Sequence, residues 1–236
     1  MTRKEMFDRF KKPGEKENKN YGYVFHALRY LSYWMSIPFV YLPFSPNQIT
    51  LIANIFQSIS IFFIIYLDGY MKLIGVLLYF VGDILDFVDG NIARYRKQTS
   101  KKGVFYDQIG HVILGPLFFL AITLSAYNNT NEIIYMYMSI IVAMFVPLMS
   151  YQISVSPTYF NIDSIKSSAD TLIESSQNRN LMYFAKKSLS YFYHFKMEIL
   201  ILAILFNQLE LLAYISTIYF VVRFFIQLYL DQRLIK

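Results

Sequence analysis

The chain has 236 residues, of which 56% are hydrophobic and only 16% charged, and its mean hydropathy is +0.36. Soluble domains carry about 25% charged residues, so this composition excludes an ordinary soluble protein and indicates an integral membrane protein. The absence of cysteine excludes disulfides and thiol catalysis, and the formal charge of +6 comes from basic residues beside apolar segments, so it requires no nucleic-acid partner.

The N-terminal part of the chain divides into a polar and an apolar segment. Residues 1–26 are polar and basic and have no apolar core near the terminus, so we expect a cytoplasmic segment without a cleavable signal peptide. Residues 27–46 are apolar but include Arg29, three prolines and the single tryptophan, Trp34. This mixture predicts a juxtamembrane helix at the cytoplasmic interface, with Trp34 and nearby tyrosines as anchors. A re-entrant or spanning helix is the alternative.

Six apolar segments within residues 47–230 predict an all-α integral membrane domain. Each is long enough to cross about 30 Å of hydrocarbon as a helix that rises about 1.5 Å per residue, and a helix satisfies its own backbone polar groups there. A polar cytoplasmic loop, residues 154–188, separates the fourth segment from the fifth. The predicted spans are 47–67, 71–94, 104–126, 132–153, 189–207 and 210–230.

The distribution of basic residues predicts the orientation of these spans. All of the 22 Lys and Arg residues except Lys72 fall on one side of the predicted spans. Because loops on the cytoplasmic side are enriched in Lys and Arg, we expect both termini and the basic loop 94–102 to be cytoplasmic.

A cluster of ionisable residues lies where the second and third predicted spans reach the cytoplasm. Ionisable groups in membrane segments are costly and therefore indicate function. Asp86 and Asp89 are three residues apart, and Asp107 and His111 are four apart, so each pair shares one helical face. Antiparallel neighbouring helices would join the two faces in one pocket, where crowded carboxylates favour bound cations. The ligand types predict two Mg²⁺ or Mn²⁺ ions.

The residues that follow Asp89 are suited to a diphosphate. Gly90 removes a side chain beside Asp89, Ala93 keeps the same face low, and Arg94 offers a planar guanidinium to phosphate oxygens. Together with the cations, these residues predict phosphoryl transfer, in which metal ions neutralise the transferring and leaving groups. The alternative for each aspartate by itself is a helix cap at the water interface.

The spacing of these residues resembles the signature of the CDP-alcohol phosphotransferase (CDP-alcohol phosphatidyltransferase) family, D-x-x-D-G-x-x-A-R, a spacer, then G-x-x-x-D-x-x-x-D. Seven of its eight fixed positions match, and Pro46–Thr50 (P-N-x-x-T) is similar to the opening of the family's first span. The resemblance implies six spanning helices, an N-terminal interfacial helix and a homodimer. The matching residues are Asp86, Asp89, Gly90, Ala93, Arg94, Gly103 and Asp107.

The resemblance also implies a reaction and residue roles. An acceptor hydroxyl attacks the phosphate that bears the alcohol in a CDP-alcohol, such as CDP-diacylglycerol, and CMP leaves; the reaction belongs to phospholipid or related polar-lipid biosynthesis. By this resemblance Asp86, Asp89 and Asp107 hold two divalent cations. The fourth acidic position supplies a further ligand and the general base, and Asp107 is a second catalytic residue. The implied nucleotide-binding residues are Asp89, Gly90, Ala93, Arg94 and Gly103.

His111 occupies the position of the family's fourth aspartate. Its imidazole is a candidate general base, because an unperturbed pKa of about 6.5 lies nearer neutral pH than the value of about 3.9 for aspartate. It is also a candidate metal ligand. A CDP- or lipid-binding homologue without transfer activity, and a packing role for the histidine, are the alternatives. Asp83, one helical turn before Asp86, would restore the negative charge and is a further candidate ligand.

Two other classes of membrane protein use similar residues. Membrane prenyltransferases bind diphosphates through aspartate motifs, which Asp83, Asp86 and Asp89 superficially resemble, but the spacing differs and Arg94 would be unexplained. A transporter would carry charges near the bilayer midplane on several helices, whereas these charges cluster at one end of two helices. Both classes fit the sequence less well than a transferase does.

Overall fold

The computed structural model describes residues 3–11, 23–159 and 195–234, and every regular element in these ranges is helical. The all-α prediction is therefore confirmed for the described residues, which form two compact units that divide between Leu114 and Gly115. The helices are α1 (Arg3–Phe10), α2 (Tyr23–Tyr41), α3 (Pro46–Tyr66), α4 (Lys72–Tyr95), α5 (Lys101–Thr130), α6 (Ile133–Tyr159), α7 (Lys196–Leu205) and α8 (Leu209–Leu234), with a short 3₁₀ turn at Gly69–Met71.

The apolar helices account for part of the predicted membrane topology. Within the described ranges, three segments are long and apolar enough to cross a membrane, and Ile133–Leu148 is a shorter apolar stretch. The membrane prediction is thus supported, while the number of six spans stays a prediction. The three long segments are Pro46–Tyr66, Gly103–Thr130 and Leu209–Ile226.

The boundaries near the predicted polar loop differ from expectation. α6 continues to Tyr159, so the first residues assigned to the loop 154–188 are helical. A helix need not end where the hydrocarbon ends, because its backbone hydrogen bonds are internal. The remainder of that loop lies outside the described residues, as do residues 189–194 of the fifth predicted span. The described part of this span is α7.

Helix α1 lies in a segment that was predicted only to be polar. Met6 and Phe10, one helical turn apart, are buried. The ring of Phe7 meets that of Trp34 edge to face, with centroids 5.4 Å apart, and the rings of Phe10 and Tyr95 lie 5.7 Å apart. Three apolar residues in a short charged segment are a weak signal for a helix in the sequence. A helix this short is stable only against a surface, which α2 and α4 supply.

Helix α2 begins and ends earlier than the predicted segment 27–46 and is held at its C-terminal end by α4. The guanidinium of Arg96 donates to the carbonyl oxygens of Phe39 and Leu42, both at 2.7 Å. A cation at a helix C terminus satisfies carbonyls that lack partners within the helix. The contact fastens α2 beside the helix that carries Asp86. The interfacial location of α2 stays a prediction.

Helices α3 and α4 approach closely because two glycines of α4 face α3. A Cβ at Gly82 would lie 3.1 Å from the carbonyl oxygen of Ala53 and 2.5 Å from Cγ of Gln57. A Cβ at Gly75 would lie 3.0 Å from the carbonyl oxygen of Ser60. Small residues permit such close contacts between membrane helices, where van der Waals packing drives association. The close packing holds the aspartates of α4 against α3.

The ends of α3 and α4 near the signature are capped. Ser45 accepts a hydrogen bond from the backbone N–H of Gln48, whose side chain accepts one from the N–H of Ser45, so that the two residues form a capping box. At the end of α4, Lys97 has a left-handed φ of 54°, and the N–H of Gln98 donates to the carbonyl of Ala93 at 2.8 Å. This Schellman motif ends the helix just after the signature arginine.

The second unit packs through aromatic rings and small hydroxyl side chains. The buried rings of Phe119 and Phe220 meet edge to face, with centroids 4.5 Å apart. Ser139 of α6 donates a hydrogen bond of 2.9 Å to Thr123 of α5. Hydroxyl pairs of this kind link helices in an apolar medium. All of the predicted site residues precede Gly115 and therefore belong to the first unit.

Candidate active site

The side chains of Asp86, Asp107 and His111 meet, one from α4 and two from α5. Nε2 of His111 lies 3.4 Å from Oδ1 of Asp107 and 3.6 Å from Oδ2 of Asp86. One ligand atom from each of the three lies within 4.8 Å of the others. The His111 side chain is 61% exposed and that of Asp86 19%, so the imidazole is on the open side. The structure thus brings together members of both predicted pairs.

Asp89 is buried beside this group and is held from α3. Its carboxylate accepts a hydrogen bond from the hydroxyl of Thr50, the last residue of the P-N-x-x-T segment. Among the described residues, the group of ligand atoms within 4.8 Å does not include Asp89. Its charge nevertheless repels that of Asp86. Thr50 therefore fixes an aspartate that adjoins the candidate ligands.

Asp83 has a partner on α3 as well. Its Oδ1 accepts a hydrogen bond of 2.8 Å from Nε2 of the buried Gln57. In the part of the chain that the structure describes, Asp83 lies outside the group of candidate ligands, but its charge also repels Asp86. This arrangement adds negative potential to the site from one turn before Asp86 on α4.

The guanidinium of Arg94 lies against Gly90. Its Nη1 is 3.2 Å from the position that a Cβ at Gly90 would occupy. Nε donates to the carbonyl oxygen of Phe10 at 2.7 Å, and Nη2 donates to Oδ1 of Asn91 at 2.8 Å. The planar group that the sequence predicts to bind phosphate therefore lies in the space that a side chain at position 90 would need.

Two further candidates for nucleotide contact lie near helix ends. A Cβ at Gly103 would lie 3.1 Å from Oδ1 of Asn47, and the N–H of Gly103 donates to Oγ of Ser100 at 3.0 Å. Ser100 thereby caps the first turn of α5. Ala93 is half-buried in the last turn of α4. The structure places Gly103 beside the start of α3, which also carries Thr50.

An apolar groove of about 460 Å³ opens between α3 and the first half of α5. Thr50 lines this groove and also donates to Asp89. The groove therefore borders the acidic cluster, which consists of Asp86, Asp107 and His111 with the adjoining Asp89. The other lining residues are Asn47, Leu51, Asn54, Tyr106, Ile109, Gly110, Ile113 and Leu114.

The ligand atoms of the acidic cluster fit a divalent cation. Two carboxylates and one imidazole present three atoms close enough to share an ion. Carboxylates crowded in this way repel one another unless a cation or a proton intervenes. Carboxylate oxygens suit Mg²⁺ and Mn²⁺, whereas imidazole suits transition metals better than Mg²⁺, so this mixed set favours Mn²⁺ more than an all-carboxylate set would.

Helices that can cross a membrane, an acidic cluster and an arginine beside a glycine are typical of membrane proteins that act on phosphate-bearing ligands. A sequence model of the CDP-alcohol phosphatidyltransferase family matches residues 44–229, which is more than half of the chain. The chain therefore belongs to the CDP-alcohol phosphatidyltransferase family, whose members are transferases that use CDP-alcohol donors and alcohol acceptors. A comparison with curated proteins found no match. Helices α1 and α2 lie outside the matched residues.

Three polar residues of this region have contacts that the sequence does not predict. The sequence indicates Thr50 only as part of the P-N-x-x-T segment and assigns no role to Gln57 or Asn91. A signal for the two amides exists, because Asn and Gln inside apolar helices are costly unless they hydrogen-bond across helices. Their partners, however, lie on other helices and cannot be read from spacing along one helix.

Proposed function

We propose that the protein transfers a substituted phosphoryl group of phosphatidyl type from a CDP-alcohol to an acceptor hydroxyl with release of CMP, in phospholipid or related polar-lipid biosynthesis. The observation that carries this proposal is the meeting of Asp86, Asp107 and His111 in a chain of this family. The apolar groove beside Thr50 supports a substrate with an apolar part, such as CDP-diacylglycerol as donor.

The CDP part of the donor is assigned to the signature residues near the end of α4. The absence of a side chain at Gly90 lets the Arg94 guanidinium lie against α4, where phosphate oxygens would meet it. A guanidinium binds phosphate through two parallel donors, which fixes orientation as well as charge. The residues assigned to the nucleotide are Asp89, Gly90, Ala93, Arg94 and Gly103.

The acidic cluster is assigned to two divalent cations, Mg²⁺ or Mn²⁺. When bound, they would neutralise charge on the transferring phosphate and on the leaving group. Thr50 would keep the Asp89 carboxylate in one orientation, and Gln57 would do the same for Asp83. The residues proposed to hold the ions are Asp86, Asp89, Asp107 and His111, with Asp83 as an additional source of charge.

In the proposed reaction, the acceptor oxygen forms a bond to the phosphorus that bears the alcohol. The bond from that phosphorus to the CMP oxygen breaks, and the electron pair leaves with CMP. The hydroxyl proton passes to Asp107, or to His111 if its imidazole nitrogen does not hold an ion; the Asp107 carboxylate is 3.4 Å from Nε2 of the histidine. The 61% exposure of the His111 side chain leaves it accessible to an acceptor. A positioned base of this kind contributes about 10²- to 10⁴-fold to a rate.

A second candidate function is CDP or lipid binding without transfer. The observation that favours it is His111 at a position where the family signature has aspartate. The prenyltransferase alternative is disfavoured, because the family match accounts for Gly90, Ala93 and Arg94 together with the aspartates.

We also propose that the protein is an integral, multi-pass membrane protein with both termini and the active site on the cytoplasmic side. The distribution of Lys and Arg residues supports this orientation, because Lys72 alone lies on the opposite side of the predicted spans. A homodimer is proposed from the resemblance to the family.

The test is release of CMP by the purified full-length chain. The protein is incubated with radiolabelled CDP-diacylglycerol or CDP-linked small alcohols, with Mg²⁺ or Mn²⁺, and with a panel of hydroxyl acceptors. We expect CMP only when a metal and an acceptor are both present. Asp86→Asn should abolish the release, and Asp68→Asn, in the exposed turn after α3, should not. No CMP from any combination, with CDP binding retained, would favour the second candidate.

A further inference from the structure

The guanidinium of Arg94 is held by two elements that are far apart in sequence. Nε donates to the carbonyl oxygen of Phe10, the last residue of α1, and Nη2 donates to Oδ1 of Asn91, one turn before Arg94 on α4. Carbonyls in the last turn of a helix have no partner within the helix, so the Phe10 carbonyl is a natural acceptor. Both contacts leave Nη1 against Gly90.

Asn91 is in turn fixed by α2. Its Nδ2 donates to Oγ of Ser32 at 3.2 Å and to Oγ of Ser36 at 3.0 Å. Asn91 and both serines have no solvent exposure. Ser36 donates to the carbonyl oxygen of Ser32 at 2.7 Å, so its hydroxyl oxygen is turned toward the amide nitrogen as an acceptor. The amide thus has one favourable orientation, with its nitrogen toward α2 and its oxygen toward Arg94.

The docking of α1 rests on buried contacts rather than on the arginine alone. Phe10 is fully buried, and its ring lies 6.4 Å from that of Tyr33 in a stacked arrangement. Arg9 places its guanidinium 5.9 Å from the centroid of the Tyr95 ring. The Phe10 carbonyl is therefore held in place independently and can act as a fixed acceptor.

We propose that Asn91 is a positioning residue for Arg94, and that α1 and α2 complete the phosphate-binding side of the donor site. The inference rests on the proposed function, because Arg94 is assigned there to the CDP phosphates. An arginine side chain loses considerable rotamer freedom when it binds, so a guanidinium already fixed over Gly90 binds phosphate at lower entropic cost. Helices α1 and α2 precede residues 44–229. The residues of these helices that hold Arg94 and Asn91 therefore lie outside the part of the chain that the family model matches.

The alternative is that the chain of hydrogen bonds only stabilises the fold. A purely structural role predicts a lower Tm for Asn91 variants with unchanged donor affinity. A positioning role predicts a higher KM for the CDP-alcohol and weaker CDP binding, with the KM for the acceptor unchanged. The two are separable because donor affinity, acceptor affinity and Tm are measured independently on the full-length protein.

The decisive variant is Asn91→Leu, which keeps approximate size and removes both hydrogen-bonding ends. We expect the KM for the CDP-alcohol and the Kd for CDP to rise at least about tenfold, the equivalent of one charge-assisted hydrogen bond. Asn91→Asp keeps an acceptor for Arg94 and should recover most of this loss. Ser139→Ala removes a buried hydroxyl of the second unit and is the control for loss of a hydrogen bond elsewhere.

If Asn91→Leu does not fold, the double variant Ser32→Ala with Ser36→Ala tests the same series of hydrogen bonds, because it leaves Asn91 and Arg94 in place. A rise in donor KM confined to these variants supports the inference. An unchanged donor KM and CDP affinity, or an equal change in Ser139→Ala, would overturn it. A wild-type protein that releases no CMP but binds CDP contradicts the transfer function only, and CDP affinity in the variants then decides the inference. A wild-type protein that does neither contradicts both.

Discussion

The hydroxyl of Thr50 on α3 donates a hydrogen bond to the buried carboxylate of Asp89 on α4. This bond joins the P-N-x-x-T segment to the aspartate motif and sets the orientation of a proposed metal ligand. Residues that orient metal ligands through hydrogen bonds typically affect metal affinity about 10- to 100-fold.

Thr50→Val should therefore raise the metal concentration needed for half-maximal CMP release by roughly tenfold or more. Valine keeps the shape of threonine and removes the donor. Thr50→Ser keeps the hydroxyl and should stay near wild type. The matched control is Ser58→Ala, whose hydroxyl bonds only the carbonyl of Asn54 on the same helix among the contacts described. A metal requirement that is the same in all three variants would exclude an orienting role for Thr50.

His111→Ala should lower the rate of CMP release by about 10²- to 10⁴-fold if the imidazole is the general base. His111→Asp restores the family signature and should retain activity, with a preference shifted from Mn²⁺ toward Mg²⁺, because a carboxylate replaces an imidazole. His26→Ala, at an exposed position of α2, is the control for loss of a histidine. Full activity in His111→Ala would rule His111 out as the base.

Asp83→Asn should impair metal-dependent turnover, because it removes a negative charge that acts on Asp86. The amide can still bond to Gln57, so the local packing is kept. The measurement is the metal titration of CMP release, with Asp68→Asn as the control for an exposed acidic residue. An unchanged rate and metal requirement in Asp83→Asn would show that charge compensation is not its role.

Gly82→Ala should destabilise the packing of α3 against α4. The new methyl group would meet Cγ of Gln57 at 2.5 Å and the carbonyl oxygen of Ala53 at 3.1 Å, and the backbone oxygen cannot move aside as a side chain can. Overpacking of this kind costs about 1–3 kcal/mol, which should lower the Tm of the purified protein. Leu77→Ala, on the exposed face of the same helix, should have a smaller effect. Equal Tm values in the two variants would argue against close packing at Gly82.

The proposed orientation can be tested by labelling, because the natural chain has no cysteine. Gln98→Cys lies in the basic loop after α4, and Asn129→Cys near the opposite end of α5; both positions are exposed. A membrane-impermeant maleimide added to intact cells should label residue 129 and should label residue 98 only after permeabilisation. The unsubstituted chain should not react. The reverse pattern would place the active site outside the cytoplasm.

Local spacing was sufficient to predict which residues of one helix face together. Asp107 and His111 share a face at four-residue spacing, and the structure brings that face to Asp86. The helical class also followed from the apolar segments, since a chain in hydrocarbon must satisfy its backbone groups internally. These features depend on the spacing of side chains along a helix and on the apolar composition that indicates a membrane. Both can be read from the sequence.

Other contacts between helices were not predicted. The bond from Asn91 to Ser32 and Ser36 joins residues that are more than fifty positions apart, and no local pattern encodes it. Helix α1 was missed for the same reason, because Phe10 becomes a core residue only through surfaces on α2 and α4. The role of Gly82 depends on Gln57, which lies opposite it on α3.

The attachment of α1 to the arginine of the signature bears on how the protein is prepared in the laboratory. A version trimmed to the matched residues 44–229 would keep every signature residue and still lose the carbonyl of Phe10 and the hydroxyls of Ser32 and Ser36. The guanidinium and the amide would then lose partners that they have in the full-length protein. An affinity tag is accordingly better added ahead of Arg3 than substituted for the residues that follow it.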